Sequence, residues 1–79
     1  MKKVYLAFDL GASSGRLMMG YRQGEALQME EIHRFANGPV SMGQRLYWDV
    51  PYLLQQMKEG LKKISRLPVE AVCIGIDTW

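Results

Sequence analysis

The chain has 79 residues, below the usual domain size of about 100 to 150, so it holds at most one small domain and no two-domain cleft. With 48% hydrophobic and 23% charged residues it is ordinary for a folded chain, which excludes disordered, collagen-like and low-complexity classes. Ten Lys and Arg against eight Asp and Glu leave +2; apart from Lys2-Lys3 and Lys62-Lys63 the basic residues are scattered, so neither a nucleic-acid stripe nor a membrane-binding patch is expected.

Met-Lys-Lys resembles the start of a signal peptide, but the apolar run that follows, Val4 to Phe8, is too short for an h-region and stops at Asp9. Val4-Tyr5-Leu6-Ala7-Phe8 instead predicts a central strand covered on both faces. Gly11 and Ser13-Ser14-Gly15 make a tight turn, and Arg16 to Tyr21 carries β-compatible residues without a helical period, so a second strand returns antiparallel to the first. Arg22-Gln23-Gly24-Glu25 supplies the next turn. Leu27 and Met29 alternate with Gln28 and Glu30, as in a half-exposed third strand. The three segments form a meander.

Two Gly and a Pro between Ala36 and Arg45 predict a loop, followed by a short extended piece at Leu46-Tyr47-Trp48. Asp49 reads as a helix N-cap, with Pro51 tolerated in the first turn. Val50, Leu53, Leu54, Met57, Leu61 and Ile64 recur at helical spacing and predict an amphipathic helix over about 50–66. Gly60 on its packed face predicts a close approach to the sheet, since glycine there otherwise costs about 1 kcal/mol against alanine. After Leu67-Pro68, residues Val69 to Ile76 read as a second buried strand. Its single Cys73 is expected to be a small buried thiol in a reducing, cytoplasmic setting. No stretch predicts a transmembrane span.

A right-handed crossover makes the last strand parallel to the first and beside it, giving an α/β chain of order β-β-β-α-β with a mixed sheet. Asp9 and Asp77 then emerge at the same edge of the sheet, where open α/β sheets bind ligands.

The informative stretch is Asp9-Leu10-Gly11-Ala12-Ser13-Ser14-Gly15-Arg16. A glycine-rich turn exposes backbone N–H groups, serine hydroxyls donate to phosphate oxygens, and arginine adds a planar charged fork. It is neither a Walker A loop nor a G-x-G-x-x-G turn opening a helix. A hairpin loop gripping phosphates and a plain Gly/Ser turn with a solvated arginine both fit the pattern. Asp9 follows an apolar strand, and a carboxylate there needs a cation; Mg²⁺, which takes one or two carboxylates plus phosphates, would suit. Asp77 has the same logic and, beside it, the alternative of capping a turn at Thr78. His33 is expected at the surface without a role. The methionines at 18, 19, 29 and 57 are expected in the core, as are Trp48 and Trp79.

Phe8 to Arg16, then Glu31-Ile32-His33-Arg34-Phe35-Ala36-Asn37-Gly38, then Trp48-Asp49-Val50, and finally Gly75-Ile76-Asp77-Thr78-Trp79 resemble, in order, the beginning of the L-rhamnulokinases of the FGGY sugar-kinase family. Four blocks in register are far more specific than any one of them. The resemblance implies a ribonuclease H-like, actin-like ATPase half-domain, with residues 1–79 as the N-terminal part of the first kinase domain and the remainder and second domain absent. It further implies that Ala12, Ser13, Ser14, Gly15 and Arg16 bind ATP phosphates, that Asp9 lies near Mg²⁺, and that Asp77, Thr78 and Trp79 lead into the L-rhamnulose site. The family's catalytic Asp lies further along than this chain reaches, so the 79 residues alone are expected to be inactive. The strand ending on Trp79, with no following helix to cover it, agrees with a truncated sheet. Two other readings stand beside this one. A ribonuclease H-like metal-dependent nuclease or resolvase would need a third carboxylate and a basic groove. A non-catalytic module would pair through its exposed sheet.

Overall fold

The computed structural model describes residues 1–11, 13–42 and 45–78. The predictions for Ala12 and Trp79, and for the side chain of Trp48, lie outside what is described. The elements run β1 (Lys2–Leu10), β2 (Ser14–Gln23), β3 (Ala26–Ala36), β4 (Pro39–Met42), β5 (Arg45–Trp48), α1 (Val50–Ser65) and β6 (Val69–Thr78). Four strands form one mixed sheet in the order β3-β2-β1-β6. β1 pairs antiparallel with β2, β2 antiparallel with β3, and β1 parallel with β6. This is the β-β-β-α-β arrangement expected from the sequence. The meander turns at Gly24, whose φ of 66 suits the first loop position of a two-residue hairpin, a conformation that glycine adopts without a Cβ penalty.

Residues 36–45, expected as a loop, contribute instead to a small hairpin in which Pro39 pairs with Trp48 and Met42 with Arg45. Proline disguised the strand: it cannot donate to a ladder, but the first residue of a separate two-stranded sheet needs no donor on its outer side.

Asp49 caps α1, its Oδ1 accepting from the Tyr52 N–H at 3.0 Å, and Lys62 and Lys63 occupy the last turn, where cations suit the negative end of the helix. The helix lies against one face of the sheet. Val4, Leu6, Phe8, Leu17, Met19 and Ile64 form the main core, and Leu10, Phe35 and Leu53 a second cluster. The close approach at Gly60 is present: a Cβ there would stand 2.9 Å from Leu17 Cδ2. Gly60→Ala is therefore expected to lower stability by about 1 kcal/mol, overpacking outweighing the gain in helix propensity. Denaturant titration of the pair of proteins checks this.

Burial departs from expectation in three places. β1 is central, but only its alternate residues Val4, Leu6, Phe8 and Leu10 are buried, while Tyr5 is exposed. β6 is exposed over nearly all its length, so Cys73 is an exposed thiol and not a buried one. Met19 is in the core, whereas Met29 is exposed. Two causes explain them: Tyr5 and Met29 share, through Gly20, the face opposite the helix, and on the helix's own face the cover is narrow. A helix about 10 Å wide covers roughly two strands spaced about 4.8 Å apart. α1 sits toward β2 and β3, where Tyr52 Oη donates to the Ala36 carbonyl at 2.8 Å. That leaves Ile74 and Ile76, on the helix-bearing face beside Leu6 and Phe8, 52% and 57% exposed. The opposite face carries no element among the described residues.

His33, expected at the surface, is half-buried between β3 and α1. Its Nε2–H donates to Gln56 Oε1 and its Nδ1 accepts from Lys63 Nζ, each at 2.8 Å, so it ties helix to sheet. Among the described residues no helix is long and apolar enough to cross a membrane.

Candidate functional site

The parallel β1–β6 pair and the antiparallel β1–β2 pair bring the candidate residues to one end of the sheet. β1 and β2 remain paired up to Leu10 and Gly15, and the hairpin loop follows, closed by Gly11 N–H donating to the Ser14 carbonyl at 3.0 Å. One register step before the loop, Arg34, Arg16, Asp9 and Asp77 are consecutive cross-strand neighbours on β3, β2, β1 and β6. The apolar packing under α1 does not reach them: on these strands Phe8, Leu10, Gly15, Leu17 and Phe35 turn to the helix, so pleating sends the row to the open face.

The row carries two cations next to two anions. Arg16 Nη2 donates to Asp9 Oδ2 at 2.7 Å, with the two side chains 40% and 44% exposed. Arg34 Nε donates to Glu31 Oε1 at 2.6 Å. The hydrogen bond to Asp9, and after it the charge of Asp9, raise the Arg16 pKa above its ordinary value, so the guanidinium is charged at any working pH. Arg16 thus gives Asp9 a cationic partner within the chain. Arg16 also points away from the apolar interior, as a phosphate ligand must.

Asp77 is the parallel neighbour of Asp9, so the expected meeting of two carboxylates at one sheet edge holds. The alternative of Asp77 capping a turn is not what is found, because Thr78 continues β6. Among the described residues there is no group of three His, Cys, Asp or Glu suited to a metal. The donor chemistry of Asp9 and Asp77, two hard carboxylates on an open face, fits a Mg²⁺ ion that completes its shell with water and phosphate oxygens.

Ser13 is exposed and Ser14 half-buried. Gly15 is buried under the Phe35 ring, which leaves no room there for a Cβ. Sequence reasoning missed two contributors to this end of the molecule. Phe35 walls the loop from below. Asn37, just past β3, donates to the Gly11 carbonyl through Nδ2 and to the Ser13 carbonyl through its backbone N–H. The only signal for either was membership of the block Glu31 to Gly38.

No family model matches the chain. Comparison with known proteins finds rhamnulokinases. That of Bacillus subtilis is 46% identical over 76 residues, covering 96% of this chain and 16% of the relative. That of Lactiplantibacillus plantarum is 43% identical over 77 residues, covering 98% and 16%. That of Oceanobacillus iheyensis is 39% identical over 79 residues, covering 100% and 17%. The resemblance seen in the four sequence blocks therefore holds along nearly the whole chain, which is similar to rhamnulokinases and spans about a sixth of the length of the curated relatives it matches.

Proposed function

We propose that the chain is the N-terminal part of the first domain of a cytoplasmic FGGY sugar kinase that transfers a phosphoryl group from ATP to the 1-hydroxyl of L-rhamnulose. The match to rhamnulokinases along nearly the whole chain carries this reading. The geometry supports it: the hairpin loop, Arg16 and two carboxylates lie together at the sheet edge where open α/β sheets take ligands.

In this reading the backbone and hydroxyls of Ala12, Ser13, Ser14 and Gly15 bind phosphate oxygens, and Arg16 offsets their charge. Asp9 and Asp77 would hold Mg²⁺. When bound, the ion neutralises phosphate charge that builds up during transfer. The residues of this chain position and neutralise; Asp77 and Trp79 lead toward the sugar. The sugar oxygen attacks the γ-phosphorus, the bond to the bridging oxygen breaks and ADP leaves. The base that takes the hydroxyl proton belongs to the part of the kinase outside these 79 residues.

The test is a coupled ADP-release assay on the full-length protein carrying this segment, with L-rhamnulose, L-xylulose and glycerol as acceptors. ADP release that requires L-rhamnulose is expected from the full-length protein and none from the 79 residues alone. Preference for another acceptor would refute the substrate, and sugar-dependent turnover by the short chain would refute the division of labour.

A further inference from the structure

A single residue holds both arms of the hairpin loop from outside. β3 is not adjacent to β1 in the sheet, yet Asn37, at the end of β3, reaches across. Its backbone N–H donates to the Ser13 carbonyl at 3.1 Å, one step past the Ser14 to Ala36 pairing. Its Nδ2 donates to the Gly11 carbonyl, on the other arm, at 2.5 Å. Its Oδ1 accepts from the Gly38 N–H at 3.0 Å. That last contact sets the carboxamide's orientation: with Oδ1 turned back onto its own chain, Nδ2 faces Gly11. A short carboxamide is the side chain that offers a donor and an acceptor together on so few rotatable bonds.

The consequence is electrostatic. The described peptides are all trans, and in a planar trans peptide a carbonyl and the next N–H point in opposite directions. Holding the Ser13 carbonyl toward β3 turns the Ser14 N–H the other way, toward the β1 arm and the space between the two ends of the loop. An anion arriving there meets an N–H already aimed, with no reorientation left to perform at the moment of binding. The clamp hangs from a rigid base. Phe35 is packed with Leu10 and Leu53, and the Ala36 carbonyl is held by Tyr52.

We propose that Asn37 is a positioning residue for the nucleotide phosphates: it acts on ATP through the loop it holds and not by touching the ligand. This rests on the reading of residues 12–16 as the phosphate loop. The test uses the full-length kinase with Asn37→Ala and with Asn37→Leu, which keeps the size and loses the hydrogen bonds. Kinetic constants for ATP and L-rhamnulose are measured, together with amide hydrogen exchange in the ligand-free protein. Both variants are expected to raise KM for ATP about fivefold, the worth of one ordinary hydrogen bond. KM for L-rhamnulose should hold and faster exchange should be confined to residues 11–16. Arg16→Ala is the control. If it leaves kcat/KM for ATP unchanged, the phosphate-loop reading fails and takes this inference with it. If Arg16→Ala lowers kcat/KM for ATP while both Asn37 variants leave KM for ATP and the loop exchange untouched, the clamp alone is overturned. Faster exchange throughout the sheet, with both KM values rising together, would mark Asn37 as general scaffold and likewise overturn the proposal.

Discussion

With residues 12–16 as the proposed phosphate loop, Arg16→Ala in the full-length protein is expected to lower kcat/KM for ATP by about a hundredfold, the scale of removing one preorganised donor to charge that develops in a transition state. The same substitution should barely change stability. Arg16 and Asp9 are both more than a third exposed, and solvent screening leaves such surface pairs little net effect on stability. Separation of the two effects is what distinguishes a ligand-binding arginine from a structural one. The guanidinium has five donors in a rigid fork, so it holds Asp9 through Nη2 while others remain able to face a phosphate. Lysine offers a point charge without the fork, and Arg16→Lys should recover only part of the lost activity. The pH dependence has a definite sign. Because the Arg16 pKa is raised in the fold, the contribution of its pairing is fully present below the ordinary arginine value and is lost only at still higher pH. Arg16 therefore gives no inflection in the pH profile of KM for ATP at working pH. If Arg16→Ala destabilises the protein yet leaves the ATP parameters alone, the row of charges on the open face is architecture.

Local pattern made the helix, the meander and the parallel last strand legible, because each has its own short-range signal. Asp49 precedes a 3.6-residue period, turn residues separate the first strands, and a β-α-β step has one favoured hand. What the pattern could not supply was the lateral position of α1 over the sheet. That position decides burial: Ile74 and Ile76 have the composition of a buried strand and lie beside the core without cover. The same limit governs the site. Asp9 was legible as a carboxylate needing a cation, but register alone shows that Arg16 is its direct cross-strand partner. Asn37 and Phe35 act on the loop from the β3 side, one strand removed from β1, and nothing in the spacing of residues 9–16 announces a partner twenty or more residues on. The hairpin of β4 and β5 was hidden for a different reason, since Pro39 reads as a strand breaker wherever the edge it occupies is unknown.

Gly15→Ala is expected to cost about 1 to 3 kcal/mol, the usual range for overpacking a filled site, and to raise KM for ATP by moving the loop. The added methyl would overlap the Phe35 ring, which is itself buried with Leu10 and Leu53 and edge-on to Tyr52 at 6.3 Å between centroids. Backbone conformation is not the cause, because among the described glycines only Gly24 has positive φ. At a compatible φ and ψ, replacing glycine with alanine ordinarily stabilises by about 0.4 to 1 kcal/mol through the unfolded chain. The sign of the effect therefore depends on Phe35 alone, and a double-mutant cycle isolates it. In a Phe35→Leu background, where the ring is gone, Gly15→Ala should become neutral or stabilising and the KM for ATP should move back toward that of the Phe35→Leu protein. Equal costs in the two backgrounds would mean that the loop does not rest on Phe35. The reach of β3 to the hairpin loop, through both Phe35 and Asn37, would then lose its physical basis.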